Sequence, residues 1–111
     1  MSAESLKDKI KKIFGEQISF NKAFDDYVKV IKNIDERLLE WCLDLKEGKI
    51  VPARPPLLPG HLVFIKRIGS SNRCLVIKII NGEFTEVHLA DHKYYDEMRK
   101  KLGLKKDSYT Y

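Results

Sequence analysis

The stretch "NGEFTEVHLADHKYYD", residues 81 to 96, holds the side chains of this chain that are best suited to proton transfer. His88 and His92 can each bind or release a proton near neutral pH. Tyr94 and Tyr95 follow within one helical turn, and a tyrosine ring can stack on an unpaired base. A histidine can serve as the acid or as the base of a proton-transfer reaction, so this stretch is a candidate for such chemistry.

Arginine and lysine residues precede this stretch in the sequence. Together with its histidines and tyrosines, they suit cleavage of an RNA backbone. That reaction needs a base for the 2′-hydroxyl, an acid for the leaving 5′-oxygen and cations that stabilise charge on the phosphorane, and it requires no metal. Arginine and lysine bind phosphate well. The candidate catalytic residues are Arg73, His92, Tyr95, Tyr94, Lys66 and His88. The candidate substrate-binding residues are Arg67, Lys93, Glu86 and Lys78.

Apolar spacing in the first half predicts helices that would support such a site. Residues 5–14 form one amphipathic helix with Gly15 at its end, and "QISF", 17–20, is a candidate short strand. Two apolar stripes, 24–31 and 38–45, then predict an antiparallel helical hairpin that ends at Gly48. All four prolines lie in "IVPARPPLLPGH", which predicts an extended connector.

The second half predicts strands. "HLVFIKRI", "RCLVIKII" and "EFTEVHL" are rich in β-branched residues and are separated by "GSSN" and "NG". Asn81-Gly82 suits a two-residue type I′ turn, in which both residues have positive φ. Asp91 can cap a closing helix that runs to Leu102. We therefore predict one α+β domain, residues 1–111: a helical hairpin packed on a small antiparallel sheet (a three-stranded meander plus a short N-terminal strand) and a short C-terminal helix.

The predicted turns set the strand register. A two-residue turn pairs Leu75 with His88, and a four-residue "GSSN" loop pairs Lys66 with Leu75. Because side chains alternate between faces, one end of one face then collects polar groups around Leu75. These are Lys66, Arg73, Glu86 and His88. The opposite face becomes the floor for the helices, with Val63, Ile65, Cys74, Val76, Ile80, Val87 and Leu89. A competing interpretation of the polar end is a solvated surface with weak ion pairs.

Composition narrows the classes of partner. The 111 residues carry 21 Lys and Arg against 16 Asp and Glu, a net charge of +5, which suits nucleic acid or an acidic protein. Cys42 and Cys74 lack CxxC spacing, so we expect core thiols and neither a disulfide framework nor a thiolate zinc site. No apolar run reaches the length of a membrane helix, and the N-terminus reads as charged helix without a signal peptide; we expect a cytoplasmic protein.

The order of elements resembles the RelE/ParE/HigB superfamily of toxins from type II toxin-antitoxin pairs, over roughly residues 17–102. "NRCLVIKIINGEFTEVHLADHKYYDEM" is similar to the family's basic residue opening a strand, its hairpin, and its final strand followed by a His-basic pair and a tyrosine. The resemblance implies that Arg73 stabilises the phosphate and that His92 with Tyr95 or Tyr94 is the acid-base and stacking pair. It also makes Lys66 and Arg67 the basic residues of the preceding strand.

The resemblance implies a function as well. A RelE-like member is a metal-independent mRNA endonuclease that works with the ribosome, uses no nucleotide cofactor and is held inactive by a cognate antitoxin protein. A ParE-like member is a non-catalytic inhibitor of DNA gyrase, and a basic RNA- or protein-binding module is the third class of function. A metal site at His88, Asp91 and His92 is the weakest alternative, because no fourth ligand is evident.

Three features depart from the family. The helix at 5–14 precedes the usual first strand, so it could be an appendage or an antitoxin-like contact. The proline-rich connector is long. The segment "LKKDSYTY" after Gly103 could lie over the active face.

Overall fold

A computed structural model describes residues 3–69 and 71–105 of the chain. Within those ranges four helices and four strands follow one another, and the predicted α+β class is confirmed. In chain order the elements are α1 (Ala3–Phe14), β1 (Ser19–Phe20), α2 (Phe24–Val30), α3 (Ile34–Lys46), β2 (His61–Ile68), β3 (Asn72–Ile79), β4 (Phe84–Asp91) and α4 (His92–Leu102). No helix in the described part of the chain is long and apolar enough to cross a membrane.

The sheet has the strand order β1-β4-β3-β2. Strands β2, β3 and β4 form the predicted antiparallel meander, whereas β1 pairs in parallel with β4, so the complete sheet is mixed. Asn21 prolongs β1 with its side chain. Its Nδ2 donates to the carbonyl of Leu89, and the Leu89 N–H donates to its Oδ1, both at 2.9 Å.

Both faces of the sheet are covered. Helices α1, α2 and α3 pack on one face, and α4 packs with part of the proline-rich connector on the other. The sheet residues of the first core are Phe64, Ile68, Cys74, Val76, Phe84, Val87 and Leu89. The sheet residues of the second core are Val63, Ile65, Leu75, Ile77 and Ala90. The second face was predicted to meet solvent at its polar end, but α4 and the connector cover it.

Helix α1 is part of the first core and not an appendage. Leu6 and Ile10 are fully buried, and the ring of Phe14 stacks on Phe84 with centroids 4.2 Å apart. Lys7 forms a 2.6 Å ion pair with Asp25 of α2, which ties the two helices together. Residues of α1 therefore stabilise the fold whatever else they contact.

The predicted register between β3 and β4 is confirmed near the candidate site and wrong near the turn. Leu75 pairs with His88, and Ile77 pairs with Glu86, as predicted. Beyond that point Thr85 is an extra residue, and a bulge lets Lys78 pair with Phe84. The turn closes when the Gly82 N–H donates to the carbonyl of Ile79 at 2.9 Å.

The type I′ prediction is wrong. Asn81 has φ 58°, but Gly82 is not among the described residues with positive φ. A type I′ turn needs positive φ at both positions. The bulge and the shifted turn together replace the predicted two-residue connection.

The predicted register between β2 and β3 is wrong by one residue. Ile68 pairs with Asn72, so three residues, 69 to 71, connect the strands where four were expected. Lys66 pairs with Cys74 and not with Leu75. A shift of one residue moves every side chain of the strand to the other face. Lys66 therefore lies on the α3 face.

Several smaller predictions are confirmed. Cys42 and Cys74 are buried free thiols, and burial raises the pKa of Cys42 to about 12, so both serve as core residues. Asp91 caps α4 by accepting from the Tyr94 N–H at 2.8 Å, and Gly103 follows the helix with φ 75°. Of the segment "LKKDSYTY", Leu104 packs in the second core. Residues 106–111 lie outside the described residues. The prediction that this segment lies over the active face therefore stays a prediction.

The packing of α1 gives a stability prediction. Leu6→Ala and Ile10→Ala should each lower the free energy of unfolding by about 2–5 kcal/mol, because each removes a fully buried aliphatic side chain. Lys9→Ala on the exposed side of α1 should change it by less than about 0.5 kcal/mol. Urea unfolding followed by circular dichroism measures all three. Equal effects of Leu6→Ala and Lys9→Ala would contradict the assignment of α1 to the core.

Candidate functional site

Helix α4 brings its two tyrosines onto charged residues of the sheet. It begins directly after β4 at the Asp91 cap, which orients its first turn. Tyr94 then contacts His88 of β4, and Tyr95 lies against Arg73 of β3. The sequence places these tyrosines next to one another, and the cap and the helical turn direct them to two neighbouring strands.

Glu86, His88 and Tyr94 form a continuous chain of hydrogen bonds. His88 Nε2 lies 2.9 Å from Glu86 Oε1, and His88 Nδ1 lies 2.9 Å from the Tyr94 hydroxyl oxygen. The imidazole side chain is 11% exposed, whereas the Glu86 side chain is 44% exposed. Tyr94 at the other end is partly exposed, so a nearly buried imidazole joins two groups that are partly open to solvent. A carboxylate, an imidazole and a phenol joined in this way can move a proton along their hydrogen bonds.

The electrostatics of this hydrogen-bond chain favour a charged Glu86 and a neutral Tyr94 at its two ends. The hydrogen bond from His88 lowers the pKa of Glu86, which is therefore a carboxylate near neutral pH. Burial raises the pKa of Tyr94, and the Glu86 charge adds to that effect, so the phenol keeps its proton. In the tautomer that carries the ring proton on Nε2, His88 donates to Glu86 and its Nδ1 accepts from the Tyr94 hydroxyl. The imidazole is thus positioned to accept a proton through Tyr94, and Glu86 would stabilise the imidazolium that forms.

Arg73 is a buried cation that has no acidic partner among the residues that the structure describes. Only 6% of the residue is exposed, its Cζ lies 5.6 Å from the centre of the Tyr95 ring, and its Nη1 donates to the Asn72 carbonyl at 2.9 Å. None of the ion pairs formed by residues 3–69 and 71–105 involves it. Buried charges in proteins are usually paired. An arginine held in this way is suited to bind an anion that comes from outside the chain.

Arg67 increases the positive potential at the same place. It is exposed, and it pairs directly across the antiparallel ladder with Arg73. Like charges directly opposite one another in a sheet are destabilising. A phosphate bound between the two guanidinium groups would relieve that repulsion.

The structure gathers six of the predicted site residues on the α4 face and separates two others. The six are Arg67, Arg73, Glu86, His88, Tyr94 and Tyr95. Lys66 lines a cleft beside α3. Lys78 lies over the Phe84 ring, 5.6 Å from its centre, on the face that carries the first core. The one-residue difference in register explains why Lys66 lies apart from the other site residues. It places Arg67, and not Lys66, on the same face as Arg73.

His92 and Lys93 occupy the exposed first turn of α4. Arg73 pairs with Ala90, which precedes His92 by two residues, so the start of α4 is close to the arginine pair. Arg73 itself does not lie at the surface, because Tyr95 and α4 cover it. The roles predicted for His92 and Lys93 stay predictions.

Sequence reasoning missed the contacts made by side chains distant along the chain. Alternation along β4 placed Glu86 and His88 on one face, but nothing in the sequence indicated that Tyr94 would reach His88. Tyr27 of α2 was missed as well. The pKa of Asp91 is lowered first by the backbone N–H of Tyr94 and then by a hydrogen bond with the Tyr27 hydroxyl. The capping motif itself signalled only the first of these contacts.

The metal alternative at His88, Asp91 and His92 does not match the geometry. Both ring nitrogens of His88 already have hydrogen-bond partners. In the described ranges no three His, Cys, Asp or Glu side chains are grouped so that they could hold a metal ion.

Comparisons of the chain with protein-family models, with curated proteins and with solved structures gave no significant match.

The lowered pKa of Glu86 predicts a pH dependence. A carboxyl group whose pKa is lower in the folded chain contributes stability above its ordinary pKa of 4.5, and that contribution is lost as the pH falls through the folded value. The free energy of unfolding should therefore fall more steeply below pH 4.5 in the wild type than in Glu86→Gln. Urea titrations between pH 3 and 7 measure the two slopes. Glu83→Gln at an exposed position is the matched control. Identical slopes in wild type and Glu86→Gln would contradict the Glu86–His88 contact.

The unpaired burial of Arg73 gives a second prediction. Arg73→Met should leave the free energy of unfolding within about 1 kcal/mol of the wild type, because methionine fills the site, keeps contact with Tyr95 and removes the repulsion with Arg67. Arg67→Met, at the exposed partner position, is the control. A loss of more than about 3 kcal/mol for Arg73→Met alone would show that the charge is required for folding and would remove the reason to seek an external anion.

Proposed function

We propose that this protein is a toxin-like, metal-independent mRNA endonuclease of the RelE kind, which acts in the cytoplasm on ribosome-associated mRNA and is held inactive by a cognate antitoxin. The observation that carries the proposal is the Glu86–His88–Tyr94 chain on the same sheet face as the unpaired Arg73. RNA backbone cleavage needs groups that transfer protons and a cation that stabilises the phosphorane, and this arrangement offers both. The net charge of +5 suits an RNA substrate.

In the proposed reaction, Tyr94 accepts the proton of a 2′-hydroxyl while it passes its own proton to His88 Nδ1. The 2′-oxygen then attacks the adjacent phosphorus, and the bond from phosphorus to the 5′-oxygen breaks. His92, exposed at the start of α4, donates a proton to the leaving 5′-oxygen. The products are a 2′,3′-cyclic phosphate and a 5′-hydroxyl, and the atoms and charges balance without a further reactant.

The cations have separate tasks in this proposal. Arg67 is exposed and meets the phosphate first, and Arg73 stabilises the negative charge that develops on the phosphorane. Tyr95 holds the Arg73 guanidinium by a cation–π contact, which replaces the base-stacking role that the sequence suggested for it. Lys93 is placed to contact a neighbouring phosphate. Arg67 thus takes the part that sequence analysis gave to Lys66.

A second function is favoured by one observation. Arg73 is only 6% exposed, and α4 with the connector covers most of the face that carries it. A site closed in this way suits a non-catalytic protein of the ParE kind, or a basic RNA- or protein-binding module, in which the charged rim alone makes contact. The endonuclease depends on the buried Arg73 and His88, whereas a non-catalytic protein would depend on exposed residues alone. Message cutting by variants at these positions therefore separates the two functions.

The endonuclease proposal predicts the behaviour of four variants. Expression of the wild type should arrest growth and produce cuts in translated messages, which primer extension detects. Arg73→Ala, His88→Ala and Tyr94→Phe should each reduce cutting by about 10²–10⁴-fold, because each removes a charge or a proton-transfer group. His92→Ala should do the same, because it removes the proposed acid.

The control for these variants is Lys12→Ala on the exposed side of α1, which should cut as the wild type does. Circular dichroism of each variant shows whether it folds. If growth arrest persists in folded Arg73→Ala and His88→Ala and no message is cut, the endonuclease proposal is wrong and the inhibitor class is favoured.

The antitoxin part of the proposal has its own test. A short reading frame for a small acidic protein should lie next to the coding sequence, and its co-expression should restore growth. A neighbour that binds the protein without restoring growth would contradict the toxin-antitoxin assignment.

A further inference from the structure

Asn21, directly after β1, is hydrogen-bonded to β4 on both sides of His88. Its backbone N–H donates to the carbonyl of Val87 at 3.3 Å. Its Nδ2 donates to the carbonyl of Leu89, and the Leu89 N–H donates to its Oδ1, both at 2.9 Å. Val87 and Leu89 are fully buried neighbours of His88 in the chain. Asn21 therefore holds the segment of β4 that carries the imidazole.

The two contacts with Leu89 fix the orientation of the Asn21 carboxamide. The oxygen and nitrogen of such a group can exchange places when only one of them has a partner. Here the oxygen faces a backbone N–H and the nitrogen faces a backbone carbonyl. The reversed amide would set donor against donor and acceptor against acceptor. One hydrogen of Nδ2 is thus bound to Leu89, and its second hydrogen is directed to another acceptor.

The Tyr94 hydroxyl oxygen is that acceptor. Burial raises the pKa of the Tyr94 phenol, and a hydrogen bond with the Asn21 side chain opposes this effect. A hydrogen bond lowers the pKa of a phenol when it is donated to the phenol oxygen, because donation favours the phenolate. The hydrogen bond therefore runs from Asn21 to Tyr94.

This donor influences where Tyr94 places its own hydrogen. His88 Nδ1 lies 2.9 Å from the Tyr94 oxygen, which already accepts from Asn21, so the hydroxyl hydrogen is best used on Nδ1. The ring proton of a neutral His88 then lies on Nε2, where Glu86 Oε1 accepts at 2.9 Å. A carboxylate can only accept. Both ends of the hydrogen-bond chain thus favour the same arrangement of protons.

We propose that Asn21 is the positioning residue of the Glu86–His88–Tyr94 chain, because it turns the Tyr94 hydroxyl towards His88 and so directs the proton from Tyr94 to Nδ1. The backbone of Leu89 sets the direction of the Asn21 amide, and the amide sets the direction of the hydroxyl. The part that Asn21 plays in cleavage rests on the proposed function, whereas the orientation of the hydroxyl does not.

In the proposed reaction this orientation has two effects. Tyr94 can pass its proton to His88 only if the hydroxyl already points there when the 2′-hydroxyl proton arrives. Negative charge that develops on the Tyr94 oxygen during the transfer is stabilised by the amide donor. Asn21→Ala should therefore lower kcat about tenfold, since it removes one donor from the proton path. KM should change little, because Asn21 is assigned no contact with the RNA.

NMR of the full-length protein with isotope-labelled imidazole nitrogens tests the orientation without RNA. The chain has three histidines, and His88→Gln identifies the His88 signals. At mildly alkaline pH, Nε2 of the wild type should carry the proton and Nδ1 should carry none. In Asn21→Asp the new carboxylate accepts from the Tyr94 hydroxyl, so Nδ1 should carry a proton at the same pH. A protonated Nδ1 in the wild type, or an unprotonated Nδ1 in folded Asn21→Asp, would overturn the inference.

Asn21→Ala gives a second measurement. Loss of the donor should raise the pKa of the Tyr94 phenol further, which ultraviolet absorbance during an alkaline titration detects, and Tyr94→Phe identifies the step that belongs to Tyr94. Gln17→Ala is the matched control, because it removes a carboxamide that donates to the Phe84 carbonyl, at the opposite end of β4, at 2.9 Å. It should leave the Tyr94 step unchanged. An unchanged step in folded Asn21→Ala would contradict the Asn21 donor.

The outcomes separate this inference from the proposed function. If the NMR and absorbance results are as expected and the wild type cuts no message, the endonuclease proposal fails and the role of Asn21 in orienting Tyr94 stands. If the wild type cuts messages and folded Asn21→Ala cuts with the same kcat, the positioning role fails alone. Circular dichroism of each variant shows whether it is folded.

Discussion

Burial of β3 on both faces is the constraint on which the rest of the structure depends. Residues 73–77 of this central strand are all buried, one set under α1, α2 and α3 and the other under α4. A sheet covered in this way leaves no open face for chemistry. The exposed Arg67 and His92 lie at the end of the sheet where β2 turns into β3 and where α4 begins, and the buried Arg73 lies beside them. Glu86 is partly exposed further along β4.

The sequence predicted the elements well, because periodicity and turn residues are local signals. Apolar spacing gave α1 and the two following helices, and the Asp91 cap with Gly103 gave the limits of α4. Alternation in β4 also placed Glu86 and His88 together. Each of these features depends on residues fewer than about five positions apart, where backbone geometry alone decides which side chains meet.

The failures arose where one residue or one distant contact decides the outcome. A connection of three residues where four were expected exchanged Lys66 for Arg67, since a sheet has only two faces and a single step changes between them. The cover formed by α4 was not foreseen, because the apolar residues of the second face are spread over three strands and pair with Tyr95, Leu102 and Leu104 far along the chain. Tertiary packing of this kind leaves no periodic signal in the sequence.

The buried Arg73 combines a cost in stability with an orientation suited to the proposed function. A guanidinium held between strand and aromatic ring is already desolvated and oriented, so an anion arriving there would meet a preorganised donor. The cost is a charge whose nearest cross-strand neighbour is a second arginine. Folding tolerates this because the two cores on either side bury many aliphatic and aromatic side chains.

The side chain of Asn21 has a consequence for association between copies of the chain. Strand β1 is only two residues long, and beyond it the outer rim of β4 would offer free amide and carbonyl groups to any extended peptide. The Asn21 carboxamide binds both the N–H and the carbonyl of Leu89, and its backbone N–H binds the carbonyl of Val87. The Asn21 side chain thus ends the hydrogen-bond ladder on the outer edge of β4. Occupied amide and carbonyl groups at this edge disfavour pairing with a strand of another copy.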